Sequence, residues 1–295
     1  MPRAALLSIH ARVEGTQPST WEDRSLVQLW GPRFSAYVVA AQDVSVFSLG
    51  RLPADEKGRR RAEETAARLH ALLGDQRMTY GEAGHAMGQH PNSLRYAAPT
   101  GTVLICWDGA RQPTIWTVPP PEIDPAEARL ELVRRHLHIF GPATPAAFAQ
   151  WAGIAPALGR AAFEALTGSL TPTRTPVGDG WILTADEPTF RAAAGSVGGP
   201  RLLPSGDAYF LLQGADRELL VPEADRRRAL WTPRVWPGGV LVGGELAGTW
   251  RRAHTDITIQ PWRRLLPAER EAVQAEADSL PLPGVRERIQ VRWVD

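Results

Sequence analysis

One cysteine, one lysine, three methionines and no long apolar run set the first limits on this 295-residue chain. A lone Cys106, inside a strand-like stretch, excludes a disulfide framework and a cysteine-based metal centre. No stretch approaches 18 apolar residues, and no signal-peptide pattern opens the chain, so a cytoplasmic protein with no membrane partner is expected. Charge of one sign is also missing: 33 basic and 32 acidic side chains leave a net charge of +1. Any nucleic-acid surface must therefore come from local clustering. No glycine-rich loop leads from a strand into a helix, and GGPRLLPSG and VWPGGVLVGGEL read as turn chemistry, so no nucleotide cofactor is expected. The pairs His136 with His138 and His85 with His90 lack a third ligand, and no metal is expected.

What is abundant is arginine, with Lys57 the only lysine. A guanidinium is a planar fork suited to bidentate phosphate contacts. Eleven tryptophans supply anchors for cores and interfaces.

The stretch from Thr79 to Val118 gives the first architectural signal. A short helical pattern opens at Thr79, breaks over Gly88 to Pro91, and resumes over about Asn92 to Ala98. Two strand-like runs, TVLICW and PTIWTV, follow around Asp108-Gly109, a pair suited to a hairpin turn. Helix, turn, helix and a two-stranded wing is winged-helix order. An amphipathic helix over Arg61 to Leu73 precedes it, with a charged run, EKGRRR, leading in.

After the proline-rich VPPPEIDP the order returns. A helix over Ala126 to Phe140 is stopped by Gly141-Pro142, Thr144 caps a short helix, and a third covers about Ala157 to Leu170. Two strands then turn around Gly178-Asp179-Gly180. The repeat is one of pattern, not of residues. The last third is rich in strands and glycine, with a hairpin at Gly243-Gly244 and a closing helix over Pro267 to Leu280. It reads as a β-rich domain, such as a small barrel, carrying one helix. At the other end LLSIHARV either ends a helix or forms a buried strand. That start is abrupt, as though a helix belonged before it.

Several segments together resemble the AlkZ and YcaQ type of bacterial DNA glycosylase. These are RLLPSGDAYFLL, GGVLVGGELAGTWRR, RRHLHIFGPATPAAFAQWAGI and TGTVLICWDGARQPTIWTVP, with LLSIHARV and DRSLVQLWGPRF near the start. The resemblance implies an α+β protein whose tandem winged-helix units form a C-shaped scaffold beside a β-rich C-terminal domain. On that reading, residues 1–120 hold the catalytic-motif-like stretch and the first clear winged helix. Residues 121–187 form a further winged helix, and 188–295 the β-rich domain. It also implies hydrolysis of the N-glycosidic bond of alkylated or crosslinked purines in duplex DNA, without a metal.

The family's catalytic motif is glutamine, an aliphatic residue, then glutamine or aspartate. Here His10, Ala11 and Arg12 occupy those positions. On an extended segment a two-residue spacing puts both side chains on one face. His10 can accept a proton or hold a water. Arg12 cannot act as a base, and is read as a clamp on a phosphate beside the lesion. Asp207 matches the family's Leu-Leu-Pro-x-x-Asp segment, as a turn-capping carboxylate or a site residue. Arg33, Arg95, Arg111, Arg251 and Arg252 are the candidate DNA contacts, and Trp250 is either core or site-adjacent. With no obvious dimerisation helix, a monomer is expected. The alternatives are a non-catalytic DNA-binding or damage-recognition protein on the same scaffold, and a transcription regulator.

Overall fold

The computed structural model describes residues 2–107, 112–192, 198–212, 214–285 and 287–294. Arg111 and the Asp108-Gly109 turn lie outside the described residues. The chain forms two compact units, one of residues 1–2 and 23–190, the other of 3–22 and 191–295. Residues 3–22 thus fold with the C-terminal third of the chain. Helix α1 spans Pro2–His10.

In the first unit, strands β1 (Leu26–Trp30) and β2 (Ala36–Ala40) pair antiparallel, from Leu26 opposite Ala40 to Trp30 opposite Ala36. A short helix, α2 (Val44–Leu49), follows. Helix α3 (Glu56–Leu73) starts five residues before the expected Arg61, because the Asp55 side chain accepts the Gly58 N–H at 2.7 Å and caps it. The charged run is therefore the solvent-facing first turns of the helix, not a lead-in. Strand β3 (Met78–Thr79) runs into α4 (Tyr80–Ala86), opened by a capping box between Thr79 and Glu82. The next helix is a 3-10 helix over Pro91–Thr100, not an α-helix. Pro99 lies within it and cannot donate a backbone hydrogen bond. Strands β4 (Val103–Cys106) and β5 (Thr114–Thr117) complete a sheet ordered β3-β5-β4. Leu69, Leu94, Ile105 and Ile115 are fully buried in the core between helices and sheet.

The same order of elements then recurs. Helix α5 (Pro125–Phe140) is capped by Asp124, α6 (Pro145–Ala152) by Thr144, and α7 (Pro156–Ala165) precedes β6 (Leu170–Thr175) and β7 (Gly178–Leu183). Thr175 pairs with Gly178, so the hairpin turns at Pro176-Val177, before the Gly-Asp-Gly stretch expected to make the turn. Gly180 has a different use. A Cβ there would lie 3.2 Å from the Ala143 backbone nitrogen, so glycine lets the strand approach that segment. Phe148, Leu132 and Leu137 centre this core. A short helix, α8 (Glu187–Arg191), closes the unit.

The second unit adds β8 (Arg201–Leu203), α9 (Arg217–Leu220), α10 (Ala224–Leu230), β9 (Gly238–Val242), β10 (Glu245–Ala253), β11 (Asp256–Pro261), α11 (Pro267–Asp278) and β12 (Gln290–Trp293). Its five-stranded sheet runs β12-β11-β10-β9-β8, with β12 parallel to β11 and the other pairs antiparallel. Strands β8 and β12 are its edges, so it is an open sheet and not a barrel. With α1, α9, α10 and α11 it also carries more helix than the one expected. The β9–β10 hairpin turns at Gly243-Gly244, where both φ angles are positive, at 63° and 85°. Helix α11 buries Val273 and Ala277 in the same core as Val240, Ile257 and Ile259. No helix among the described residues is long and apolar enough to cross a membrane.

Candidate functional site

The N-terminal segment is helical because Ala4-Ala5-Leu6-Leu7 are strong helix formers and Leu6 and Leu7 find a core to enter. His10 is the last residue of α1, and the chain leaves the helix through Ala11 N–H to Leu7 carbonyl (3.0 Å) and Arg12 N–H to Ile9 carbonyl (2.9 Å). The extended geometry that would set residues 10 and 12 on one face does not exist here. The two side chains instead meet different partners, both within the second unit.

Arg12 lies against Asp207. Its Nη1 donates to Asp207 Oδ2 at 2.9 Å and its Nη2 to Oδ1 at 2.7 Å, a bidentate pair. The same Nη1 donates to the Ser8 carbonyl at 2.8 Å. Ser8 Oγ donates to Asp207 Oδ2 at 2.6 Å, and the Tyr209 N–H to Oδ1 at 2.8 Å. Asp207 is 1% exposed, and each of its oxygens accepts two hydrogen bonds, which accounts for its whole acceptor capacity. That carboxylate has no lone pair left for a water or a substrate. Its hydrogen bonds and charge hold the Arg12 guanidinium above its ordinary range, against a lowering by burial. The arginine read from sequence as a phosphate clamp thus has its fork committed to Asp207, with 45% of its side chain still exposed.

His10 lies against α11. Its Nε2 is 3.2 Å from Ser279 Oγ and 3.9 Å from Glu276 Oε2, with 15% of its side chain exposed. Glu276 is buried and works on three sides. Its Oε1 accepts the Leu202 N–H at 3.1 Å, and its Oε2 faces both His10 and Arg201 Nη1, the latter at 3.7 Å. Arg201 in turn donates from Nε to the Ala11 carbonyl at 3.1 Å, gripping the residue between His10 and Arg12. Ser279 also lines an open cleft of about 570 Å³ with Thr16, Gln17, Leu282, Arg288 and Ile289. The His10 imidazole is thus held against a residue that forms part of the cleft wall.

The other candidates separate. Trp250 is core: it is buried and donates from Nε1 to the Leu203 carbonyl at 2.8 Å. Arg251 is exposed and donates to the Val235 carbonyl at 3.1 Å, and Arg252 donates to the His254 carbonyl. Arg33 is exposed on a turn where it and Phe34 both take positive φ, 53° and 57°, uncommon for non-glycine residues. Arg95 lies over the rings of Phe34 and Tyr96, 5.6 and 5.9 Å from their centroids. Of the histidines, His138 pairs with Asp186 at 3.0 Å, His90 Nδ1 accepts the Asn92 N–H, and His136 is buried among aromatic rings. Among the described residues no group of three or more His, Cys, Asp or Glu is placed to hold a metal.

Sequence reasoning missed Ser8, Arg201, Glu276 and Ser279. For Glu276 a signal existed. Val273, Glu276 and Ala277 share one helical face, and a carboxylate in that apolar register needs partners to be buried.

Residues 1–281 match the family model described as DNA glycosylase AlkZ-like. Among solved structures the chain is similar to the Streptomyces sahachiroi DNA glycosylase AlkZ, at 18% identity and a TM-score of 0.77, over 99% of this chain and 89% of that one. At that identity the likeness speaks for the fold. No curated protein matches the chain.

Proposed function

The chain belongs to the AlkZ-like DNA glycosylase family, and we propose that it hydrolyses the N-glycosidic bond of N7- or N3-alkylated purines in duplex DNA, with His10 as the group that holds the attacking water. The observation that carries this reading is the contact of His10, the titratable side chain at the altered motif, with Ser279, a residue of the cleft wall. An alkylated purine is cationic and already a good leaving group. The bond from C1′ to the purine breaks with its electron pair going to the base, which leaves neutral. Water oxygen bonds to C1′, and the proton it sheds passes to His10. The Glu276 carboxylate then faces an imidazolium. General-base assistance of this kind is worth roughly 100 to 10,000-fold.

The Arg12–Asp207 pair has a supporting part. It fixes the turn after α1 and so the position of His10. The two runs of helices and hairpin, over 56–117 and 125–183, act in this proposal as tandem winged helices, and arginines within the first run and outside both hold the phosphate backbone. Arg33, Arg95, Arg111, Arg251 and Arg252 are the proposed contacts. The protein works as a cytoplasmic monomer on alkylated or crosslinked duplexes, nucleoid-associated while bound. The deciding experiment is release of free base from duplex DNA carrying N7-alkylguanine, leaving an abasic site. His10→Ala is expected to lower the rate about 100-fold or more with binding retained.

A second reading rests on a specific observation: neither family glutamine is present, and Arg12 is committed to a carboxylate. A protein that only binds and marks damaged DNA fits that as well. Retardation of the duplex with all base still attached after long incubation decides for it. A regulator reading requires a dimer on symmetric half-sites, so a monomer in light scattering weighs against it.

A further inference from the structure

The contacts of Ser279 determine which nitrogen of His10 can accept a proton. A serine hydroxyl has one hydrogen to donate. Ser279 Oγ lies 2.8 Å from the Glu276 backbone carbonyl, an atom that can only accept, so its hydrogen is spent there. At the 3.2 Å contact with His10 the same oxygen must then act as acceptor, and the Nε2 of His10 must carry the hydrogen. The Glu276 carboxylate, 3.9 Å from that same nitrogen, favours a positive N–H end facing it. Glu276 is itself held, by the Leu202 N–H on one oxygen and Arg201 near the other. Nδ1 makes no hydrogen bond to the described residues.

We infer that Ser279 and Glu276 are positioning residues that lock neutral His10 as the Nε2–H tautomer, leaving Nδ1 as the atom that holds the water and takes its proton. This rests on the proposed glycosylase reading for its consequence, though the tautomer itself does not. In the step, one water O–H bond breaks, its hydrogen bonds to Nδ1 as a proton, and the oxygen bonds to C1′ as the purine departs with the glycosidic electron pair. The product imidazolium carries hydrogens on both nitrogens, with Nε2–H still directed at Ser279 and Glu276. Without the two partners both tautomers of an imidazole are populated, and a share of the molecules would present an N–H, not a lone pair, to the water.

The test is two-bond proton–nitrogen NMR of the imidazoles in full-length protein labelled with nitrogen-15 histidine, at a pH where His10 is neutral. His10→Gln identifies its signals by their loss. The wild type is expected to show the Nε2–H pattern. Ser279→Ala and Glu276→Gln should each raise the Nδ1–H share and lower kcat for base release about 10-fold, with KM little changed. Ser279→Thr, which keeps the hydroxyl, should restore both. Glu276→Gln keeps an oxygen for the Leu202 N–H, so it carries the measurement if Ser279→Ala does not fold. An Nδ1–H pattern in the wild type overturns the inference, as does a tautomer unmoved by both variants. A wild type that shows the responsive Nε2–H pattern yet releases no base supports the tautomer assignment and sinks the glycosylase reading.

Discussion

Acid should weaken the first unit through one histidine. His136 on α5 is buried, and its ring lies 4.8 Å from that of Trp151, 5.0 Å from Phe140 and 5.3 Å from Phe148. Neither ring nitrogen has a hydrogen-bond partner among the described residues. Burial pushes its pKa down to about 3. In the unfolded chain the same ring titrates near its ordinary 6.5. The folded value is the lower one, so the unfolded state binds the proton more readily. Stability from keeping this ring neutral is complete above pH 6.5 and drains away as pH falls toward 3. Between pH 8 and pH 5 the loss is about 2 kcal/mol, from roughly 1.4 kcal/mol for each pH unit below the unfolded pKa. The perturbation is His136→Leu, which is of similar volume and does not titrate. It also removes two buried polar atoms that lack partners, an exchange worth about 1–3 kcal/mol in favour of the variant at neutral pH. Urea unfolding of both proteins at pH 8, 6.5 and 5, followed by circular dichroism, cancels the other titrating groups in the difference. The wild type should lose about 2 kcal/mol more than the variant between pH 8 and 5. Parallel losses in the two proteins would refute the reasoning.

The Asp207 cluster should behave as a coupled unit. Asp207→Ala strands the Ser8 hydroxyl, the Tyr209 N–H and the Arg12 fork. Because Arg12 is half exposed, the expected cost is about 1–3 kcal/mol, below that of breaking a fully buried pair. A double-mutant cycle with Arg12→Ala should return a coupling near 1 kcal/mol, and strict additivity would mean the pair contributes nothing. Replacing Arg33 or Arg95 by Ala should weaken binding across duplex sequences and reduce the salt slope by about 1 for each phosphate that is no longer neutralised. An unchanged slope for both would place the duplex on another face.

How much of this could be read from the sequence depends on the range of the forces involved. Helices with their own start signals were legible almost to the residue: Asp124-Pro125 before α5, Thr144-Pro145 before α6, Pro267 at α11. Asp124 and Thr144 act on N–H groups two or three residues away, and proline acts through its own fixed φ. The β9–β10 turn was legible for the same reason, since two adjacent glycines supply two positive φ angles. Strand β1 was not, because Leu26-Val27-Gln28-Leu29-Trp30 becomes a strand by pairing with residues 36–40 rather than by its own pattern. Asp55 hid within a run of charges, so α3 was begun too late. In the site, His10 and Asp207 were singled out by resemblance to a family. Their partners lie too far along the chain for any spacing rule: 269 residues separate His10 from Ser279, and 195 separate Arg12 from Asp207.

The helical state of α1 changes what the altered motif means. On a strand, residues 10 and 12 would face one substrate together, and a histidine beside an arginine would set a cation next to a developing sugar cation. At a helix end they diverge. Arg12 meets a buried carboxylate that balances its charge, and the balanced pair then serves as a clasp between α1 and the turn at Asp207. His10 meets a hydroxyl acceptor and a second buried carboxylate, Glu276, which tolerate a positive imidazole. The Arg12 guanidinium therefore has Asp207 as its anion, and in the proposed mechanism the imidazolium formed when His10 takes a proton has Glu276. Two glutamines would have needed no such anions. Under the proposed mechanism the burden of a changed motif falls on Asp207 and Glu276, so their removal should harm the site through the placement of Arg12 and His10.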